Sequence, residues 1–346
     1  MPHSRLVDSA LVQRVLPRGS RRRATVARAV RRAFSVVVET KNRITLPKEG
    51  LPLEEAKLRG AWSQYSPEIL EVYLVSGYQD PRLNAQSILA RHTLIRAIFG
   101  TRFEDLMREE LTYAGELNDA IRLRAKELGV PLTSTTNRER LAVVQQAMEV
   151  IADRVDVFAE RWRTALAAEQ APPLRVIEFA CGSANDYRAF ADYGIARFLD
   201  YTGIDLSKTN IANAKQRFPD VDFRLGSILS LTEPDASVDY VIGFDILEHL
   251  SLQAMDTVLS TAVRMARRGL YFAFFRMDEN AQHQEEPRGE YHFNLLSAPA
   301  MRRYMRERYA QVQLIHIASM FKQEYGFPYS HEYNRRAYSL IAEGPR

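Results

Sequence analysis

From about Ser66 to Glu169 apolar residues return every three or four positions with few glycines or prolines between them, which is a helical period. The spacing predicts one helix through Leu83–Phe99 and a second through Phe103–Glu127. A third begins on Asn137 as N-cap and puts Val144, Met148, Ile151, Val155, Phe158 and Trp162 on one face, alternately four and three residues apart. A stripe of this kind is a packing face, so the helices are expected to form an N-terminal α-helical subdomain or cap. Gln170-Ala171-Pro172-Pro173 breaks the period and reads as a linker, because the residue ahead of a proline is pushed out of helical geometry.

Beyond Pro173 short β-branched runs alternate with helical stretches, the pattern of an α/β doubly wound parallel sheet. Seven strands are predicted: Arg175–Ala180, Tyr201–Asp205, Asp222–Leu225, Val238–Phe244, Leu270–Phe275, Val312–Ala318 and Ala337–Ala342. Helices are predicted at Asp186–Tyr193, Ser207–Phe218, Leu252–Arg267 and Pro299–Tyr309. The connection Gln323–Asn334 is rich in Gly, Pro and Tyr without a helical repeat, so the last two strands are expected to pair antiparallel as a terminal hairpin. The expected organisation is thus a tail over residues 1–50, a helical subdomain over 51–170, and a Rossmann-like seven-stranded domain over 171–346.

Charge refines this picture at one end. The net charge of the chain is +4, yet residues 1–34 hold nine arginines against the single acid Asp8, so the remainder is mildly acidic. The tail reads first as a solvated segment, with peripheral contact to anionic lipid, nucleic-acid binding or a transit peptide as alternatives. An acidic body argues against a long polyanion as the main partner. No apolar run reaches the ~18 residues of a membrane span, and the single Cys181 allows no internal disulfide, which points to a reducing, cytoplasmic setting.

The chemistry concentrates at the first two strand ends. Val176-Ile177-Glu178-Phe179-Ala180-Cys181-Gly182-Ser183-Ala184-Asn185-Asp186 is a strand, an acid and a small-residue turn leading into a helix. Such a turn lets backbone approach a ligand at the carboxyl edge of an open sheet. The second strand ends Gly203-Ile204-Asp205-Leu206-Ser207, where an acid can accept hydrogen bonds from two ribose hydroxyls; Ser207 is the expected cap of the next helix. Together with Asp239-Tyr240-Val241-Ile242-Gly243-Phe244-Asp245-Ile246-Leu247-Glu248-His249-Leu250, these segments resemble the core of class I S-adenosylmethionine (SAM)-dependent methyltransferases, over roughly 174–343. The family's [DE]-x-G-x-G-x-G turn is matched by Glu178 and Gly182, with Ala180 and Ala184 at the outer glycine positions, and Ser227 replaces the frequent Asp of the third-strand loop. The resemblance implies SAM as cofactor, S-adenosylhomocysteine (SAH) as product, and cofactor contacts from Glu178, Ala180, Gly182, Ser183, Asn185, Asp205, Leu206, Ser227 and Asp245. A nicotinamide-dependent dehydrogenase would require Gly-x-Gly-x-x-Gly, which the turn lacks.

The methyl of a sulfonium is already activated, so a base is needed only for weakly acidic acceptors. His249, and His283 and His292 in the long polar stretch Arg276–Asn294, are the candidate bases. The spacing Asp245-x-x-Glu248-His249 with His283 and His292 also resembles the metal site of small-RNA terminal 2′-O-methyltransferases, but this pattern is common in metal-free methyltransferases and no metal is expected. The leading expectation is O-methylation of a small-molecule acceptor: a sugar, lipid or secondary metabolite. The alternatives are an RNA methyltransferase using the basic tail and a non-catalytic subunit with a SAM-type fold. Oligomeric state is not legible.

Overall fold

The computed structural model describes residues 81–127, 156–288, 291–327 and 336–346, all within one compact unit that spans Lys57–Arg346. The basic tail, residues 51–80, the Asn137–Val155 part of the third helix and most of the aromatic loop 325–334 lie outside the described residues.

Among the described residues three helices precede the sheet: α1 (Ala85–Phe99), α2 (Glu104–Glu127) and α3 (Val157–Leu166). Phe158 and Trp162, the last two members of the predicted stripe, are buried. The sheet then builds from β1 (Leu174–Phe179), α4 (Asn185–Asp192), β2 (Leu199–Asp205), α5 (Lys208–Arg217), β3 (Asp222–Leu225), β4 (Val238–Phe244), α6 (Leu252–Met265), β5 (Ala266–Phe274), α7 (Ala298–Arg306), β6 (Tyr309–His316), α8 (Ile317–Glu324) and β7 (Tyr338–Pro345). Strand order is β6-β7-β5-β4-β1-β2-β3. The pairs among β1 to β5 are parallel, and β7 runs antiparallel to both β5 and β6. The central strands β1, β4 and β5 are buried almost throughout, as strands covered on both faces must be.

Serine side chains start three of the helices. Ser207, Ser251 and Ser297 accept from the amides of Asn210, Ala254 and Ala300, so these three helices each carry a side-chain N-cap. The predicted cap at Ser207 is therefore present.

Three local expectations need correction. The run Val312–Ala318 turns from strand to helix after His316, because Ile317, Met320 and Phe321 at helical spacing bury against the core. The final pair is antiparallel as expected, but its connection begins with this helix and is not a bare turn. Secondly, β5 starts at Ala266, directly on the end of α6, since the Arg267 side chain bonds both carboxylate oxygens of Asp239 and the strand pairs from Ala266 with Val238. Thirdly, the polar stretch after Phe275, where no strand or helix is predicted, carries short strand pairs. Met277–Asp278 pairs with Leu296–Ser297 and Pro287–Arg288 with Tyr291–His292. Arg276 donates to the Phe293 carbonyl and to Glu286, while fully buried Asn294 donates to the Leu250 carbonyl and accepts from the Glu286 amide.

One apolar cluster joins α1, α2, α3, α4, α5 and α8 to the sheet. Within it lies a buried polar group that pattern reading does not reveal. Glu110 accepts from Arg91 and Trp162 and contacts His92 Nε2, each at 2.7 Å. Burial opposes ionisation of Glu110, but the Arg91 charge and the His92 bond outweigh it and hold its pKa near 2. Burial keeps His92 neutral by lowering its pKa, which makes Nε2–H the donor. This network locks α1, α2 and α3 together, so α1 is held firmly where it meets the carboxyl edge of the sheet.

Candidate functional site

The turn between β1 and α4 is shaped by backbone conformation. Ala180, Gly182 and Ala184 have φ of 55°, 55° and 64°, so all three glycine positions of the resembled pattern are left-handed. The alternation coils the chain into a shallow cradle, and a Cβ built on Gly182 would meet nothing within 4 Å. α4 begins on Ala184 with no side-chain cap.

Asp205, at the end of β2, ties this cradle to the next helix. Its Oδ2 accepts from the Gly182 amide at 2.9 Å, and its Oδ1 accepts from the Ser207 amide at 2.7 Å and Asn210 Nδ2 at 3.3 Å. A carboxylate offers about four acceptor directions, so three are used by the protein and one remains. Glu178, buried at the end of β1, accepts from the Tyr201 hydroxyl at 2.6 Å. Burial, then the charge of Asp186, raises its pKa well above the usual carboxylate range despite that bond, and Asp205 adds to the rise.

Asp186 enters the site unforeseen. It sits in the first turn of α4, accepts from Ser87 Oγ of α1 at 2.7 Å, and its pKa is raised by burial. Gln86, one residue earlier on α1, donates to the carbonyls of Phe274 and Tyr338, where β5 and β7 part at the carboxyl edge. The missed signal was the paired polar residues Gln86-Ser87 at the start of an apolar helix.

Asp245 follows β4 with φ of 50°, a strained conformation for an aspartate, and is 8% exposed. Glu248 is fully buried, and its Oε1 accepts from the amides of Phe275 and Arg276. Asp245 Oδ1 and Glu248 Oε2 are buried and have no hydrogen-bond partner. Burial, then the charges of Glu248 and Asp186, raises the pKa of Asp245; burial also raises that of Glu248.

The remaining candidates are placed as follows. Ser183 Oγ faces Asn210, Asn185 Oδ1 accepts from Arg217, and Ser227 Oγ accepts from the Leu229 amide in the turn after β3. Leu206 is half-buried next to Asp205. His249 lies among Phe275, Tyr291 and Phe293, with ring centroids 5.5–6.0 Å apart, and Nδ1 is 3.1 Å from the His292 carbonyl. A carbonyl can only accept, so Nδ1 carries the proton and Nε2 keeps the lone pair. Burial lowers the His249 pKa to about 4. His283 Nδ1 instead accepts from the Ser297 amide, which leaves its Nε2 as a donor. His292 Nδ1 lies 3.4 Å from Glu285. Among the described residues no three His, Cys, Asp or Glu side chains converge to hold a metal; Glu248 Oε1 and His249 Nδ1 face backbone groups.

The cradle and the acids fit SAM in character: a small-residue turn with open space above Gly182, a ribose-type acid with one acceptor direction left, and unpartnered carboxylate oxygens for a cofactor of net positive charge.

Comparison with known proteins agrees. Residues 176–269 match the family model described as a methyltransferase domain. Over 97 residues the chain is 37% identical to a probable S-adenosylmethionine-dependent methyltransferase of Mycolicibacterium smegmatis, which covers 28% of this chain and 35% of that protein. A probable S-adenosylmethionine-dependent methyltransferase of Mycobacterium tuberculosis is 35% identical over 79 residues, 23% of this chain and 27% of the relative. The matches thus span about a third of the length of these curated relatives or less. Among solved structures, the chain is similar to the 1,6-didemethyltoxoflavin-N1-methyltransferase of Burkholderia thailandensis at 16% identity and a TM-score of 0.39, covering 63% of this chain and 94% of that one. It is also similar to the magnesium protoporphyrin IX methyltransferase of Synechocystis PCC 6803 at 16% identity and a TM-score of 0.37, covering 61% and 86%. The turn and the strand-end acids thus lie in or beside a segment, residues 176–269, that matches a methyltransferase domain and is similar to S-adenosylmethionine-dependent methyltransferases.

Proposed function

We propose that this protein transfers a methyl group from SAM to a hydroxyl oxygen of a small-molecule acceptor. The observation that carries the reading is the left-handed cradle Ala180-Gly182-Ala184 bonded to Asp205, inside the segment that matches the methyltransferase domain. Glu178, Ala180, Gly182, Ser183, Asn185, Asp205, Leu206, Ser227 and Asp245 are proposed to form the cofactor site, with Asp205 on the ribose and Gly182 lending close backbone approach. SAM, when bound, supplies an electrophilic methyl carbon. The chain orients the acceptor, keeps water out and receives the proton that a hydroxyl loses on methylation. His249 is the best placed of the three histidines for that proton, since its tautomer leaves an acceptor nitrogen among aromatic rings.

The reading is tested by titration calorimetry with SAM and SAH, followed by transfer of labelled methyl to panels of sugars, lipids and secondary metabolites. Binding of both ligands, weakened at least ~10-fold by Asp205→Ala, supports the cofactor site; absence of heat from folded protein sinks it. Label entering RNA or nitrogen acceptors, with none in hydroxyl compounds, refutes the acceptor class.

A further inference from the structure

α4 follows directly on the cradle but has no cap of its own. Asp205 holds the middle of the turn through the Gly182 amide. The far end, Ala184, is the N-cap of α4 at φ 64° and has no side-chain oxygen to offer, whereas α5, α6 and α7 each start on a capping serine. The orphan end of α4 therefore depends on another element to fix it.

α1 is that element. Ser87 Oγ donates at 2.7 Å to Asp186 Oδ1 in the first turn of α4, and Ser87 is only 5% exposed. One turn further along the same face of α1, the Arg91 guanidinium lies 4.0 Å over the ring of Tyr193, the C-cap residue of α4. α1 thus holds α4 at both ends.

α1 is itself fastened on its other contacts. Gln86 Nε2 donates to the carbonyls of Phe274 and Tyr338, at the ends of β5 and β7, and the Gln86 carbonyl accepts from the Tyr271 hydroxyl. Arg91 carries the hold on to α2 through Glu110. An apolar residue at position 87 would bury similar surface but leave the Asp186 carboxylate without the Ser87 hydroxyl, so the polar contact does more than pack the helix.

We propose that Ser87 is a positioning residue for the cofactor: through Asp186 it sets the first turn of α4 and with it the Ala180-Gly182-Ala184 cradle. This rests on the methyltransferase reading. Ser87 acts on the shape of the cradle, which serves the parts common to SAM and SAH, so its loss affects both ligands alike. A direct effect of the Asp186 charge would differ, since it would act on the sulfonium of SAM and spare neutral SAH.

The experiment measures dissociation constants of SAM and SAH by calorimetry for the full chain and for Ser87→Ala, Asp186→Ala and the double variant, with Ile88→Val as a stability control. Ser87→Ala is expected to weaken SAM and SAH in parallel by roughly fivefold or more, the effect of one buried hydrogen bond to a carboxylate. In the Asp186→Ala background the same substitution is expected to change SAH affinity by less than about twofold, because its partner is gone. Ile88→Val trims one carbon from a fully buried side chain beside Ser87, and is expected to lower Tm while leaving both affinities within about twofold. The proposal is overturned by unchanged affinities in Ser87→Ala, by a loss confined to SAM, by an equal loss in the Asp186→Ala background, or by an equal loss in Ile88→Val. If Ser87→Ala does not fold, Ser87→Cys, which keeps a side chain of similar shape with a weaker donor, takes its place with the same outcomes. Failure of the wild type to bind either ligand would instead overturn the methyltransferase reading, and this inference with it.

Discussion

The β1–α4 turn allows a stability prediction whose sign differs between neighbouring residues of the same motif. At Gly182 the substitution to Ala adds no clash, since nothing lies within 4 Å of the new Cβ, so only backbone terms count. Holding a non-glycine residue in the left-handed region costs roughly 1–2 kcal/mol. Removing a glycine recovers about 0.5–1 kcal/mol of unfolded-state entropy. Gly182→Ala should therefore destabilise by about 0.5–1 kcal/mol. Ala180, half-exposed at φ 55°, runs the same sum backwards, and Ala180→Gly should stabilise by about 0.5–1 kcal/mol. Ala184 has the same backbone gain at φ 64°, but its methyl is fully buried and its loss costs about 0.8 kcal/mol, so Ala184→Gly should be close to neutral. Urea or thermal unfolding of the three variants measures the order, with melting shifts on the order of 1–3 °C. Destabilisation by Ala180→Gly as large as that of Gly182→Ala would refute the left-handed account of the turn. Because glycine preserves the cradle, SAH affinity of Ala180→Gly should stay within about twofold of wild type by calorimetry.

Other predictions follow from the buried groups. Glu110→Ala leaves Arg91 buried without its carboxylate and should cost about 3–5 kcal/mol in chemical unfolding. The folded-state pKa of Glu110, near 2, lies below its unfolded value of about 4.3, so its contribution is complete above pH ~5 and is lost as the pH falls toward 2. That loss amounts to roughly 3 kcal/mol, and an acid-stability curve unchanged by Glu110→Gln would contradict it. Nitrogen NMR should find His249 neutral at pH 5.5 with its proton on Nδ1 and a titration midpoint near 4; a midpoint near 6.5 would remove the packed environment assigned to it. Truncating Phe321, fully buried on α8, should cost about 3–5 kcal/mol if that helix is the anchor of the final strand connection, and a change under 1 kcal/mol by urea denaturation would argue against it.

How much was legible can be read residue by residue. Glu178, Gly182, Asp205 and Ser207 were identified because strand ends, turns and caps are local: their identity and their conformational demand lie within a few positions of each other. The departures at Ala180 and Ala184 looked like weakened glycines; the backbone takes the glycine conformation there regardless. The aromatic and polar stretch after Phe275 looked like an open loop because its fasteners, Arg276, Glu286 and Asn294, bond partners that alternation and periodicity do not predict. Asp186 and Gln86-Ser87 were missed for the same reason, since their roles depend on α1 meeting α4 and the β5–β7 edge. His283 illustrates a limit of chemistry without geometry: the residue type suits a base, and the Ser297 amide takes its lone pair.

By itself the sequence determined the alternation of strands and helices, the small-residue turn, the strand-end acids and the resemblance they carry, because these follow from neighbours along the chain. Tertiary structure alone decided which carboxylates share a buried edge, which oxygens lack partners and which histidine nitrogen holds the proton. Those properties arise from desolvation and from charges brought together across distant segments, and neither is written in local spacing.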